Sequence, residues 1–338
     1  MGRLLALELL DRGWDVTLFD ADERAGKSSC AHTGAGMLAP CSELETADSE
    51  ICTLGMSSLA LWPGILDRLE IPVALHKTGT LIVAHPSDES ELVRLEKRIR
   101  EKSLKEDVLE RVDGRRIAAL EPELSGRFRQ GLFLAGEGHL DNRALLSSLE
   151  LTLDKRGVEW LPACPAIEVK PGTIRSELQT RKFDWVFDCR GYGAKPELPD
   201  LRGVRGELIY LSAPDVGLLR PIRIMHPRYP LYIVPRDENL FVVGATTVES
   251  EDRGAITVRS TLELLSAAYA VHPGFGEARI VETCVNLRPA FPDHRPRITC
   301  EQGVVRINGL YRHGFLVSPA VVQQALDRMS WKYELTET

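Results

Sequence analysis

The 338-residue chain has no apolar run near the roughly 18 residues that a membrane-spanning helix requires, so no membrane span is expected. No signal-peptide core is expected either, because the first apolar segment carries Arg3, Glu8 and Asp11, and the expected location is the cytoplasm. Seven cysteines (30, 41, 52, 164, 189, 284 and 300) include no C-x-x-C pair, and eight histidines include no H-x-x-x-H spacing. Reduced, mostly buried thiols are therefore expected, and a zinc site is not. Positive charge is short as well: Lys and Arg total 42 against 49 Asp and Glu, a net charge of −7. That balance disfavours a nucleic-acid partner, which needs clustered cations to neutralise phosphates. What is present is a 43% hydrophobic content, enough to fill the core of one large domain or two interleaved ones.

A further absence lies in the opening residues, MGRLLALELLDRGWDVTLFD. Leu4, Leu5, Leu7, Leu9 and Leu10 carry a helical apolar pattern that Gly13 ends, and Val16, Leu18 and Phe19 then predict a buried strand closed by Asp20. A dinucleotide-binding unit places a strand and a Gly-x-Gly-x-x-Gly turn before such a helix, and an acidic residue about 20 positions on holds the ribose. Gly2 stands where the last glycine belongs and Asp20 where the acid belongs. The chain is thus expected to open inside the fingerprint, with the missing strand and two glycines upstream of Gly2. Taken alone, the stretch equally suits an ordinary βαβ piece without a cofactor.

Later segments repeat this character. DWVFDCRGYGAK predicts a strand followed by a turn at Gly191 and Gly193, where backbone can approach a bound group closely. GVVRINGLYRHGFLVSPAVVQQALDRM predicts a strand, a glycine turn and an apolar helix whose first amides can face negative charge. Between these lie segments of another kind. KTGTLIVAH predicts a strand, PLYIVPRDENLFVVGAT a hairpin around Asp237, Glu238 and Asn239, and TLELLSAAYAV a helix. The charge-rich run ESELVRLEKRIREKSLKEDVLERVDGRR alternates in sign and reads as a solvated helix laced with ion pairs.

Seven ordered motifs make a resemblance specific: TGAGMLAP (33–40), GEGHLDNRAL (136–145), VRGELIYL (204–211), YIVPR (232–236), VVGAT (242–246), NLRPAFPDHRP (286–296) and GLYRHGFLVSPA (309–320). Together they resemble the FAD-dependent D-amino-acid oxidase superfamily, nearest to the glycine oxidase branch that serves thiamine biosynthesis. The resemblance covers nearly the whole chain from Gly2. It implies an α/β plus α+β fold: a Rossmann-like FAD-binding domain with a parallel sheet whose first strand is missing, and an inserted substrate domain with an antiparallel sheet. The FAD domain is expected over 1–70, 139–205 and 281–338, and the substrate domain over 71–138 and 206–280.

The resemblance also assigns residues. Gly2 and Asp20 match the adenosine diphosphate site, and Gly191 marks a turn close to the cofactor. Thr33, Gly34, Ala35, Gly36 and Met37 match the loop beside the isoalloxazine ring, where a flat ring leaves little room for side chains. The turn through Arg312, His313, Gly314, Phe315 and Leu316 matches amides facing the flavin's pyrimidine edge. Arg288 matches the arginine that grips the substrate carboxylate, a task suited to a planar two-pronged donor. Tyr232 matches a tyrosine donating to the same carboxylate, and Arg312 a further arginine near the site. Outside the motif register, Arg288 would read as a surface or ion-paired arginine and Tyr232 as a core strand residue. His32 and His313 adjoin the flavin motifs, whereas Asp293 and His294 are expected in a turn. Pro230 and Thr247 fall at pocket-facing positions where the branch differs, which bears on substrate choice. FAD is expected without a covalent link, since no cysteine follows NLRP where sarcosine-oxidase relatives tether theirs.

The implied reaction oxidises a small amine or amino acid (glycine, sarcosine or a D-amino acid) to an imine by hydride transfer to flavin N5. Oxygen is the expected acceptor, and no side-chain base is needed once the amine is neutral. The sequence leaves open a dehydrogenase using another electron acceptor, a non-catalytic or regulatory flavin-fold protein, and the oligomeric state, a homo-oligomer included.

Overall fold

The computed structural model describes residues 1–45, 47–102, 108–226 and 231–334. The first helix, Gly2–Asp11, buries Leu4, Leu5, Leu7 and Leu9 and stops before Gly13, which takes φ +80°. The strand Thr17–Phe19 follows and pairs in parallel with Glu159–Leu161. A second parallel pair joins Val186–Asp188 to Val304–Asn308, which also pairs antiparallel with Arg297–Glu301. Trp14 and Phe187 meet edge to face at 6.5 Å between the two strand pairs.

Three helices complete this layer: Ser49–Leu66, Asn142–Lys155 and the C-terminal Gly314–Glu334. Asp48 caps the first of them and Asp141 the second, each accepting two amides of the opening turn. Leu7, Trp62, Leu153, Val305, Ile307, Val317 and Leu326 lie in one apolar cluster, so helices and strands distant in sequence share a core.

The largest sheet has eight strands, in the order Arg279–Ala290, Arg202–Ser212, Leu240–Gly244, Leu231–Pro235, Ile222–Met225, Thr80–Ala84, Gln130–Leu134 and Glu110–Asp113. All neighbours are antiparallel except Ile222–Met225 beside Thr80–Ala84. Strand alternation divides its residues between two faces. Ile209, Leu211, Ile233 and Val243 pack in one cluster with Leu264, Ala268 and Val271 of the helix Val258–Val271. Leu208, Tyr210, Val234 and Val242 face the other way, toward Ala35 and Met37. The sheet therefore presents one face to the small-residue loop, and a cleft forms there.

The hairpin expected around Asp237 is formed by Leu231–Pro235 and Leu240–Gly244. The charge-rich run differs from its expectation. Its helix covers Glu89–Lys102, with Leu92, Leu95 and Ile99 buried and Glu96 paired with Arg100 at 3.0 Å. Residues 103–107 lie outside the described residues. Glu110–Asp113 is an edge strand in which only Val112 turns inward, against the Gln130–Leu134 strand. Three charged side chains around one valine suit an edge strand, where charges discourage further pairing. The strands Arg202–Ser212 and Arg279–Ala290 run across positions 206 and 281, where the sequence reading divides the chain.

Candidate active site

The cleft encloses ≈ 1340 Å³, including the part open to solvent. Its walls include thirteen of the residues singled out in the sequence: Thr33, Gly34, Ala35, Gly36, Met37, Gly191, Tyr232, Arg288, Arg312, His313, Gly314, Phe315 and Leu316. Gly2 and Asp20 are not among its lining residues, although Met1 is. Asp20 ends its strand half-buried, its carboxylate accepting the Asp22 amide at 3.0 Å while burial pushes its pKa up.

The small-residue loop is pinned by two carboxamides. Asn142 donates to the carbonyls of Ala31 at 2.8 Å and His32 at 3.0 Å, and Asn286 donates to the Thr33 hydroxyl at 3.1 Å and the Ser28 carbonyl at 2.9 Å. Gly36 sits at φ +61°, and a Cβ there would lie 2.1 Å from the Leu140 carbonyl oxygen. Only glycine fits that position. A Cβ on Gly34 would lie 3.4 Å from the Phe315 ring, so the loop and the C-terminal turn meet here.

Asn308 ties the two glycine turns together, donating to the Gly191 carbonyl and accepting the Gly309 amide, both at 2.8 Å. The C-terminal helix starts at Gly314, where a Cβ would meet nothing within 4 Å. The first amides of a helix lack intrahelical partners and carry its positive end, and Gly314, Phe315 and Leu316 of that first turn line the cleft. His313 Nδ1 is buried without a hydrogen-bond partner, and burial pushes the ring's pKa down to about 4. The ring is thus neutral at physiological pH.

Arg288 stands on the long edge strand opposite Val204. A Cβ on Gly206 would lie 2.3 Å from the Arg288 Cζ, so a bare glycine is what lets the guanidinium cross that strand. Its Nη1 donates to the Thr246 carbonyl at 3.0 Å, and Thr246 is itself held by Glu207 through its hydroxyl at 2.8 Å. Among the described residues Arg288 has no ion-pair partner; burial and then the neighbouring Arg312 push its pKa down. Arginine stays charged nonetheless, which leaves an uncompensated cation at the cleft. Tyr232 lines the same end, and burial raises its pKa so that the phenol stays protonated as a donor.

The sequence reading missed Glu43, two residues beyond Cys41 in a turn that follows the small-residue loop. Its carboxylate lies 3.9 Å from Arg312 Nε and 3.7 Å from His313 Nδ1. Burial works to raise its pKa, but Arg312, His313, Arg223 and Arg288 outweigh burial and hold it below the usual range, so it is ionised. Burial likewise opposes charge on Arg312, and Glu43 with Tyr232 and Tyr311 outweighs it. Glu137 sets the turn in place by accepting the amides of Cys41 at 2.8 Å and Ser42 at 2.7 Å, and Arg223 bonds the Ser42 carbonyl and the Glu45 carboxylate. The sequence signal was one acid directly after an apolar, small-residue motif.

Other candidates fall elsewhere. His32 does not line the cleft; burial and then Arg143 lower its pKa. His294 occupies the expected turn at φ +58°, stacked on Tyr311 at 4.5 Å. Thr247 is exposed and off the cleft, whereas Ala245 lines it; Pro230 lies outside the described residues. No described helix is long and apolar enough to cross a membrane.

Residues 1–327 match the DAO family, described as FAD dependent oxidoreductase. A Rhizobium etli protein named as a thiamine biosynthesis oxidoreductase, ThiO, is 43% identical over 331 residues, covering 97% of this chain and 93% of that protein. The crystal structure of glycine oxidase from Geobacillus kaustophilus superposes with a TM-score of 0.83 at 22% identity, over 97% of this chain and 92% of that one. That of iminodiacetate oxidase from Chelativorans sp. BNC1 gives 0.80 at 22% identity, over 96% and 91%. At such identities these two structures establish the fold alone.

Proposed function

The chain belongs to the FAD dependent oxidoreductase family, and on that premise we propose that it oxidises glycine or a similarly small amino acid or secondary amine to its imine, with oxygen as electron acceptor. The observation that carries this reading is the Arg288 guanidinium, which has no ion-pair partner among the described residues and lines one cleft with the Tyr232 phenol, the 33–37 loop and the start of the C-terminal helix. A buried cation without a partner calls for an anionic ligand, and a carboxylate matches its planar donors. The relative named for thiamine biosynthesis supports a role for the product imine in that pathway.

The residues present fit FAD. A Cβ on Gly314 would enter open space at the cleft wall, and the orphaned His313 Nδ1 and the opening amides of the C-terminal helix are the donors that would hold the cofactor. When bound, FAD supplies a two-electron acceptor that takes a hydride. We propose that it binds without a covalent bond, with Gly2 and Asp20 toward the adenosine end, and that 1–70, 139–205 and 281–338 hold it while 71–138 and 206–280 hold the substrate.

Each remaining contribution comes from the chain. Arg288 and Tyr232 fix the substrate carboxylate and thereby orient the Cα–H bond, and fixed orientation accounts for much of the rate. Gly206 and the Glu207–Thr246 bond hold Arg288 in position. The amides from Gly314 to Leu316 stabilise negative charge that builds at that wall. The neutral substrate amine drives the reaction with its own lone pair, so no side chain acts as base.

Arg288→Ala is the direct test. Loss of two charge-assisted hydrogen bonds predicts a fall in kcat/KM of about 10² or more, with flavin content unchanged. Unchanged kinetics with glycine, sarcosine and D-alanine would contradict the assignment.

A further inference from the structure

The charges at the substrate end of the cleft do not cancel. Arg288 has no carboxylate partner among the described residues, Arg312 has Glu43 at 3.9 Å, and the ring of His313 is neutral. Arg223, also within electrostatic reach of Glu43, is matched by its own partner Glu45. Two guanidinium charges against one carboxylate leave a single positive charge, located at Arg288.

Glu43 is not a structural tie. Its side chain is only 15% exposed, yet among the described residues its carboxylate accepts no hydrogen bond; its contacts are the two long approaches to Arg312 and His313. The loop that carries it is anchored by its neighbours, since Glu137 takes the Cys41 and Ser42 amides and Arg223 takes the Ser42 carbonyl. A carboxylate held at a site by others and bonded to nothing acts through its field.

We propose that Glu43 is a specificity-determining residue: by cancelling the charge of Arg312 it leaves Arg288 as the only anion anchor and restricts the site to amines bearing one carboxylate. This rests on the reading of Arg288 as the carboxylate anchor. A substrate with a second carboxylate brings that group beside Glu43, where like charges repel in a poorly solvated space. The same balance favours the amino acid in its singly negative form, which is the form with a neutral amine. Removing the Glu43 charge frees Arg312 and turns the site toward dicarboxylates.

The test uses two unreactive ethers, methoxyacetate with one carboxylate and diglycolate with two, titrated into the FAD-loaded enzyme by calorimetry and by changes in flavin absorbance. Wild type is expected to prefer methoxyacetate. Glu43→Gln is expected to move the affinity ratio toward diglycolate by about tenfold or more, Glu43→Asp to keep the wild-type ratio, and Arg312→Leu added to Glu43→Gln to erase the gain. A ratio within about twofold of wild type in flavin-replete Glu43→Gln overturns the proposal. Should that variant fail to accumulate, Arg312→Leu alone decides. It leaves Glu43 uncompensated next to Arg288 and is expected to weaken both ligands by about tenfold, and unchanged binding overturns the proposal. Arg288→Ala separates the two readings, because methoxyacetate binding that survives it refutes the anchor itself rather than the role of Glu43.

Discussion

At the residue scale, the site is built from side chains whose environments move their charge states in defined directions. Two histidines make this measurable, His313 in the cleft wall and His139 outside it, opposite Met37 in a neighbouring strand. Burial, with Arg236 and His76, pushes His139 down to about 3, and burial pushes His313 down to about 4, from an ordinary 6.5. Both folded-state values are depressed, so the folded chain keeps these rings neutral while the unfolded chain takes up protons. Their contribution is complete above about pH 6.5 and is lost as pH falls toward the folded values. A displacement of this size corresponds to roughly 3–5 kcal/mol per buried ring. Urea midpoints measured at pH 7 and pH 4.5 are expected to drop less for His139→Asn than for wild type; equal drops would show that this ring does not contribute. That Arg288 and Tyr232 would line one cleft was legible at this scale because their motifs keep order along the chain. Glu43 was not, because nothing local marks an acid that meets its partners, Arg312 and His313, some 270 positions away.

At the element scale, strands and loops act by what they leave out. Gly206 lies between Arg205 and Glu207 in the strand Arg202–Ser212, where glycine is a poor choice for the strand itself. Its use becomes clear from the 2.3 Å between a hypothetical Cβ and the Arg288 Cζ. Gly206→Ala is therefore expected to keep the fold and flavin while raising KM by about tenfold or more, approaching the Arg288→Ala phenotype. Steady-state kinetics beside flavin absorbance decide this, and a wild-type KM would contradict it. The first helix, the hairpin and the Val258–Val271 helix were readable from periodicity, since their apolar spacing matches the faces they bury. The Glu110–Asp113 strand was not, because alternating charges mask a single inward valine and pairing with Gln130–Leu134 settles its conformation.

At the scale of the whole molecule, the cleft lies where two architectures meet. One is a layer of parallel strand pairs and helices, and the other an eight-stranded sheet, with the cleft between the sheet's inner face and the 33–37 loop. The order of motifs foretold this pairing, because loop, strand and C-terminal turn recur in one sequence. What it could not give is the set of long-range ties that close the site: Asn142 to Ala31, Asn308 to Gly191 and Glu137 to Ser42. Each joins residues of ordinary local surroundings, and only the assembled fold makes them partners.

The central claim is that a carboxylate held by Arg288 presents its amine-bearing carbon to a flavin lying against those glycines. Its most direct measurement is the visible absorbance of the purified, flavin-loaded protein mixed with glycine, sarcosine or D-alanine in the absence of oxygen. Loss of the flavin absorbance with at least one of them, its return when oxygen is admitted, and no loss in Arg288→Ala are the expected outcome. Flavin that stays oxidised with all three in the wild-type protein would contradict it.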